Sequence, residues 1–265
     1  IHVLRCFDNE NITHVDGSVD PVRDKEIIDT ELQLKDLETV ESRIGKVQKQ
    51  AATGDKNAKR AFELLSRYKE VLEQGRSART VAVDKEDKKV LPDLNLLTDK
   101  PVLYVCNVDE ASAAKGNAYV EAVRKAIADE DAELLIVAAA TEADIAELED
   151  YEERRMFLQD MGLEESGVNR LIKAAYRLLN LETFFTTGAD ESRAWTFVRG
   201  MKAPQTAGII HTDFERGFIR AEVIKYDDYV ALGSEKACRD VGKIGIEGKD
   251  YVVQDGDIMH FLFNV

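Results

Sequence analysis

At 265 residues the chain is long for one domain and suits two or three. Its 44% hydrophobic and 33% charged content fits soluble globular domains; the net charge of −15 would repel nucleic acid, so any polyanion contact has to use a local basic patch. Three widely spaced cysteines, Cys6, Cys106 and Cys238, with no Cys-x-x-Cys, argue against a disulfide framework or a zinc site and fit a reducing compartment. The longest strongly apolar run, Leu134–Ala140, is too short to span a bilayer.

The chain opens with Ile1-His2-Val3-Leu4-Arg5-Cys6-Phe7, an alternating and branched apolar segment that reads as a strand. A native chain rarely starts inside a strand, so position 1 is read as a truncation, a proteolytic end or the boundary of a further segment. Asp8 to Asp20 is polar and reads as a mobile loop. Residues 24–95 read as an insertion. Leu37, Val40, Ile44, Val47 and Ala51 recur three and four apart, and so do Ala58, Ala61, Leu65, Tyr68 and Leu72. That is the seam of two helices packed as an antiparallel coiled-coil hairpin, with Thr53-Gly54-Asp55 as the turn.

Residues 1–23 and 96–181 form one split α/β region. Pro101–Cys106 and Leu134–Ala138 read as strands, and Asn117–Ala128 between them as a helix with Tyr119, Val123 and Ile127 on one face. Strand, helix, strand of this length is a parallel βαβ unit. Helices over Thr141–Met161 and Gly167–Leu179 are expected next. Residues 182–265 read as a small, mainly antiparallel β domain with one or two short helices. Its strands are Thr183–Thr187, Ala194–Val198, Phe218–Ile224, Tyr251–Val253 and Ile258–Phe263, with a weaker one at Ala207–His211.

The strand over Val102–Cys106 ends in Asn107-Val108-Asp109-Glu110. Ligands of α/β nucleotide-binding proteins sit at the carboxyl ends of parallel strands. An Asn there can hold the loop and reach a purine edge. GTPases place Asp at the fourth position to take both guanine donors; Glu110 is one methylene longer and should not align that fork. Val108 stands where GTPases place Lys, and an apolar side chain there can lie against a base face. Ala138-Ala139-Ala140-Thr141 after the next strand is small enough for backbone, near Ala139, to approach a base. The tetrapeptide alone is common by chance; its place in a βαβ unit is what gives it weight.

Asn107-Val-Asp-Glu110 resembles the altered base-recognition motif of the YchF (Obg-like ATPase) family, which prefers ATP to GTP. Arg5-Cys-Phe-Asp-Asn-Glu-Asn-Ile-Thr-His14-Val resembles the family's segment after its second switch. Gly162–Ile172 and Ala175–Leu181 resemble the end of its nucleotide domain. His211–Ala221, Gly248–Tyr251 and Asp255–Val265 resemble its C-terminal TGS domain. The resemblance covers essentially the whole chain and implies an α/β fold: a partial P-loop NTPase domain, the inserted coiled-coil hairpin and a C-terminal β-grasp, TGS-like domain. It implies a cytoplasmic, ribosome-associated ATPase using ATP with Mg2+, acting in translation or stress regulation, with no membrane or DNA partner. No Gly-x-x-x-x-Gly-Lys-Ser/Thr occurs among these residues. The family carries that phosphate cradle and its metal ligands upstream, so this chain alone is expected to bind nucleotide weakly or not at all and to be inactive, with no metal site of its own. The competing reading is a non-hydrolysing RNA- or ribosome-binding module.

In GTPases where an apolar residue replaces the water-positioning Gln, a nearby histidine can take that role, and the resemblance points to His14. The alternative is a surface histidine that merely accompanies a loop. His2, His211 and His260 show no metal spacing, and no nucleophilic triad is recognisable. Around the hairpin turn, positions 43–69 carry eight basic residues (Arg43, Lys46, Lys49, Lys56, Lys59, Arg60, Arg67 and Lys69) against Asp55 and Glu63, a net +6. Charge on helices is commonly just a solvated face. A basic tip on a projecting hairpin is also shaped to reach ribosomal RNA phosphates, with Arg43, Lys46, Lys49, Lys56, Lys59 and Arg60 as the candidates.

Overall fold

The computed structural model describes residues 1–188 and 191–264; Val265, the end of the expected third region, lies outside the described residues. Two compact units emerge, Ile1–Ala174 and Ala175–Val265.

The first unit begins with β1 (His2–Arg5) and continues into the hairpin. Asp20 starts helix α1 (Pro21–Ala52): its carboxylate accepts from the N–H groups of Val22 and Arg23, and Pro21 pre-sets the first turn. Asp55 does the same for α2 (Lys56–Glu73), accepting from Asn57 and Ala58. Between them Gly54 takes φ +95°, a conformation that L side chains rarely adopt, which lets the chain reverse. Val40, Ala61, Leu64, Leu65, Tyr68 and Leu72 are buried between the helices, with Leu37, Ile44 and Val47 packed against them. Leu37, Val40, Ile44, Val47, Ala61, Leu65, Tyr68 and Leu72 of the expected seam lie in this cluster and Leu64 is added; Ala51 and Ala58 are not part of it. A short helix α3 (Lys85–Val90) and the apolar residues Ala78, Val81, Leu91 and Leu96 extend this core, a return segment that the helical spacing does not announce. The return is fixed by Asp36, 2% exposed, whose carboxylate accepts the N–H of Leu97, the N–H of Thr98 and the Thr98 hydroxyl, each at 2.7 Å. A buried carboxylate is tolerated only when its lone pairs are satisfied in this way.

The α/β part adds β2 (Leu103–Asn107), α4 (Ala118–Ala126) and β3 (Glu133–Val137). The sheet order is β1-β2-β3, all parallel, with Val3 opposite Val105 and Val105 opposite Leu135. The central strand β2 is buried from Leu103 to Cys106, the continuous apolar run a parallel strand requires. α4 buries Val120 and Val123, and its C-cap residue Ile127 is buried with them. Tyr119, expected on that face, is half-buried and instead gives its hydroxyl to Asp8 at 3.0 Å.

The expected Thr141–Met161 helix is two helices, α5 (Ala139–Glu147) and α6 (Tyr151–Asp160). Asp150 breaks it by capping the second, accepting from the N–H groups of Glu152 and Glu153. The small-residue loop expected after β3 is already the first turn of α5. Helix α7 (Gly167–Leu178) closes the region.

The second unit holds β4 (Leu181–Thr187), β5 (Ser192–Val198), α8 (Ala203–Ile210), α9 (Thr212–Arg216), β6 (Phe218–Ile224), α10 (Tyr226–Leu232), α11 (Glu235–Asp240), β7 (Ile244–Glu247) and β8 (Ile258–Phe263). The sheet order is β5-β4-β8-β6-β7; β4 and β8 are parallel and the other pairs antiparallel. Phe184, Phe197, Ala203, Ala207, Phe218 and Phe261 form its core. The weak strand expected at Ala207–His211 is the body of α8, which Pro204 and the Gln205 side chain, accepting from the Lys202 N–H at 2.8 Å, start as a helix. Tyr251–Val253 makes a single bridge, Val252 to Lys202, rather than a strand. β7 and the short helices α9 to α11 exceed what the sequence pattern announced. Asp257, fully buried, accepts from Lys225 Nζ and the Tyr251 hydroxyl at 2.6 Å each and from the Gln254 N–H at 2.9 Å.

Candidate functional site

The carboxyl ends of β1, β2 and β3 meet at one edge of the first unit. There the Cys6 N–H donates to the Asn107 carbonyl at 2.7 Å and the Val108 N–H to the Val137 carbonyl at 2.9 Å. The Asn107 side-chain oxygen accepts the N–H of Ala139 at 3.0 Å, so the loop after β2 and the start of α5 are joined directly. Asp109 caps the turn Glu110–Ser112, accepting the Ser112 N–H at 2.9 Å, and this leaves Glu110 exposed at the rim. Ala139 is exposed as well. Val108 is placed otherwise: at 4% exposure it packs into the sheet core with Cys6 and Cys106, so little of it remains to lie against a base. Asn107 and Ala139 are thus brought together, Glu110 stands exposed in the turn that follows, and Val108 is buried in the sheet core.

The surrounding residues fix this edge. Asn117 donates to the Cys6 carbonyl at 2.8 Å while its oxygen caps α4, accepting from Tyr119 and Val120. Glu142 on α5 accepts the Gly167 N–H at 2.5 Å; a Cβ on Gly167 would stand 2.7 Å from that carboxylate and 3.1 Å from Val137, so a larger residue there would push the Glu142 side chain aside. Cys6 and Cys106 are both fully buried; a hydrogen bond to Cys106 and then burial push the Cys6 thiol above its ordinary range, which makes Cys6 a packing residue and a poor nucleophile.

The loop after β1 is organised by Arg5. Its guanidinium donates to the carbonyls of Phe7 at 3.1 Å, Asn9 at 3.2 Å and Ile12 at 3.0 Å. His14 lies further along, with an 18% exposed side chain. Its Nε2 is 2.8 Å from Asp24 Oδ2, and its Nδ1 accepts the Asp16 N–H at 3.2 Å. Arg23 pairs with Asp24 at 3.1 Å and with Asp16 at 3.5 Å. His14, Asp16 and Asp24 are the grouping among the described residues whose potential metal-ligand atoms converge, all within 4.8 Å. The Arg23 guanidinium already neutralises both carboxylates, so a cation would have to displace it. Asp24 carried no sequence signal of its own: an acidic residue in a first helical turn reads as ordinary helix chemistry.

The basic hairpin residues divide into two groups. Arg60 donates to Asp87 at 2.7 Å and to Asp84 at 3.0 Å, Arg67 lies 3.5 Å from Asp87, and Lys69 pairs with Glu41 at 2.7 Å. Arg60 and Arg67 tie α2 to the return segment at α3, and Lys69 joins α2 to α1. Arg43, Lys46, Lys49, Lys56 and Lys59 have no ion-pair partner among the described residues, and all but the half-buried Arg43 are exposed. Arg60 is therefore already paired with carboxylates, unlike the other candidates. A cavity of about 830 Å³ lies at the hairpin base, lined by Lys25, Asp29, Arg79 and Glu130 among others; none of Asn107, Val108, Glu110 or Ala139 lines it. No helix is long and apolar enough to cross a membrane, among the described residues.

The family described as "YchF-GTPase_C: Protein of unknown function (DUF933)" matches residues 181–264. The chain is 53% identical to the "Ribosome-binding ATPase YchF" of Bacillus subtilis (strain 168), over 100% of this chain and 72% of that protein. It is 43% identical to the "Obg-like ATPase 1" of Rattus norvegicus, over 99% of this chain and 67% of that protein. Among solved structures it resembles the Schizosaccharomyces pombe YchF GTPase with a TM-score of 0.85 and 34% identity, covering 98% of this chain and 71% of the other. With this identity across its whole length, the chain belongs to the family of YchF and Obg-like ATPases.

Proposed function

We propose that this chain is the base-recognising and partner-binding portion of a cytoplasmic, ribosome-associated ATPase that binds ATP with Mg2+. The observation that carries the reading is the Asn107–Ala139 hydrogen bond, which builds a preformed rim at the carboxyl ends of three parallel strands, with the Glu110 carboxylate exposed on it. The residues present suit the adenine half of such a site. The phosphate half needs a Gly-x-x-x-x-Gly-Lys-Ser/Thr segment, which is not among these 265 residues. Bound Mg2+ would neutralise charge on the transferred phosphate; this chain's own contribution is to hold the base and, through His14, to orient water.

The first unit is read as the C-terminal part of an Obg-type nucleotide domain with an inserted antiparallel coiled coil. The second is read as a TGS-like β-grasp domain, supported by the parallel β4–β8 pairing within an otherwise antiparallel sheet. Ribosome binding is carried over from the relatives' names and is supported here by the five unpaired cations around the hairpin turn. Those cations also favour the second reading, a module that docks on ribosomal RNA without hydrolysis. Phosphate release from the purified chain and ATP against GTP titration of the complete protein test the first reading. The chain alone is expected to release phosphate no faster than buffer, and the complete protein to prefer ATP. Turnover near 1 s⁻¹, at the low end of ordinary enzymes, by the chain alone would overturn the placement of the site.

A further inference from the structure

The loop that carries His14 is pinned at one end and rests on α1 at the other. Arg5 holds its first half through the carbonyls of Phe7, Asn9 and Ile12, and the Tyr119 hydroxyl holds Asp8 at 3.0 Å. Residues 13–19 are held through the first turn of α1: His14 on Asp24, and Arg23 on Asp16 and on the Ser18 carbonyl at 2.8 Å. That turn is itself anchored. Lys25, 7% exposed, sits 2.7 Å from both Asp29 and Glu130 with its ammonium 5.4 Å from the centre of the Tyr104 ring. Displacing Asp24 would shift the turn next to Lys25, whose buried ammonium is held between the Asp29 and Glu130 carboxylates. Displacing His14 would break contacts of a polar loop. Asp24 is the fixed post and His14 the part free to leave it.

Both ring nitrogens of His14 are occupied. Nδ1 accepts the Asp16 N–H, so the neutral ring carries its proton on Nε2 and donates it to Asp24. No ring nitrogen is left for a water molecule. We propose that Asp24 is a positioning residue that parks His14: it holds the imidazole in the Nε2–H form against α1, and His14 meets the attacking water only by exchanging Asp24 for it. Arg23, 3.1 Å from the other oxygen of the same carboxylate, keeps Asp24 turned toward the ring. The inference rests on reading His14 as the water-positioning residue.

The test compares ATP hydrolysis by the complete protein with that of His14→Ala, Asp24→Ala, Asp24→Asn and the His14→Ala/Asp24→Ala double variant. Asp24→Ala is expected to raise the basal rate about tenfold, the scale set by losing one hydrogen bond to a charged group, and Asp24→Asn by less. The gain is expected to vanish in the double variant. If His14→Ala leaves the rate unchanged, the reading of His14 falls. If His14→Ala slows hydrolysis while Asp24→Ala and Asp24→Asn fail to raise it, the parking role falls and the reading of His14 stands. Long-range proton–nitrogen NMR of this chain supplies a readout independent of activity: the His14 proton is expected on Nε2, with a tautomer mixture in Asp24→Asn. A proton on Nδ1 in the parent overturns the proposal, and Asp24→Asn, which preserves shape, carries the test if Asp24→Ala does not fold.

Discussion

The side-chain oxygen of Asn107 and the backbone N–H of Ala139, 3.0 Å apart, join the end of β2 to the first residue of α5. On the proposed reading this contact makes Asn107 act on the fold and on the base together. Asn107→Ala is expected to lower stability by about 1 kcal/mol, the net value of one hydrogen bond, and to weaken ATP binding in the complete protein. Asn107→Asp keeps the acceptor and should keep most of the stability. Urea unfolding of the chain and nucleotide titration of the complete protein measure the two effects. Loss of affinity with unchanged unfolding would mean that Asn107 touches the base but does not brace the loop.

Val108 and Glu110 are neighbours in sequence but not in environment, one 4% exposed and the other at the rim. Glu110→Asp alone is expected to raise GTP affinity relative to ATP, on a scale of roughly 1–3 kcal/mol borrowed from bidentate base contacts. Val108→Lys, which a GTPase pattern would suggest, is expected to cost about 2 kcal/mol of stability, because it forces an ammonium toward an apolar core. Comparing the two single variants by titration and by unfolding separates base reading from packing. An unchanged nucleotide preference in Glu110→Asp would move base recognition to the backbone near Ala139.

Much of this was legible because periodicity reports burial. Ala61, Leu65, Tyr68 and Leu72 repeat with the helical period and are buried, and β2 reads as an unbroken apolar run because both its neighbours are parallel strands. The failures share a cause. Ala207–His211 looks β-like by residue type, yet Pro204 and Gln205 just upstream start a helix. Asp150 breaks a long helical pattern through a cap whose effect depends on local backbone geometry. The pairing of His14 with Asp24 joins residues ten apart by side-chain direction, which no spacing rule encodes. The engagement of Arg60 by Asp84 and Asp87 is likewise tertiary.

Glu130 gives the first unit a pH-dependent component. Burial alone would raise its carboxyl, but hydrogen bonds from Lys25 and Tyr104, and the nearby Arg79, outweigh burial and hold it below the usual carboxylate range. A folded-state value below the unfolded one means that stability is present above the unfolded value and is lost as pH falls through the folded one. Glu130→Gln is therefore expected to be less stable than the parent at pH 7, on the order of 1–3 kcal/mol, with the gap closing below the carboxylate range. Unfolding midpoints across pH 3 to 7 check this, and a gap that widens on acidification would show that the network does not depend on ionised Glu130.

The hairpin tip provides the prediction that this chain can answer alone. Arg43, Lys46, Lys49, Lys56 and Lys59 are unpaired around Thr53-Gly54-Asp55, on a protein whose net charge is −15. Each phosphate they contact releases condensed counterions, so ribosome binding should weaken steeply with salt. Reversing Lys46, Lys49, Lys56 and Lys59 to Glu removes four contacts and should flatten the log–log salt slope by about 3, at roughly 0.7–0.9 per phosphate. Circular dichroism should be unchanged, because all four are exposed and none belongs to the buried seam. Arg60→Glu is the opposing control. It breaks the contacts to Asp84 and Asp87, so it should lower the unfolding midpoint while changing the salt slope less than the average effect of one tip lysine. Ribosome co-sedimentation at several salt concentrations measures both. Parent-like binding by the four-fold reversal would make the tip a solvated face. A slope change from Arg60→Glu as large as that of a tip lysine would mean that its carboxylate partners release it to the RNA.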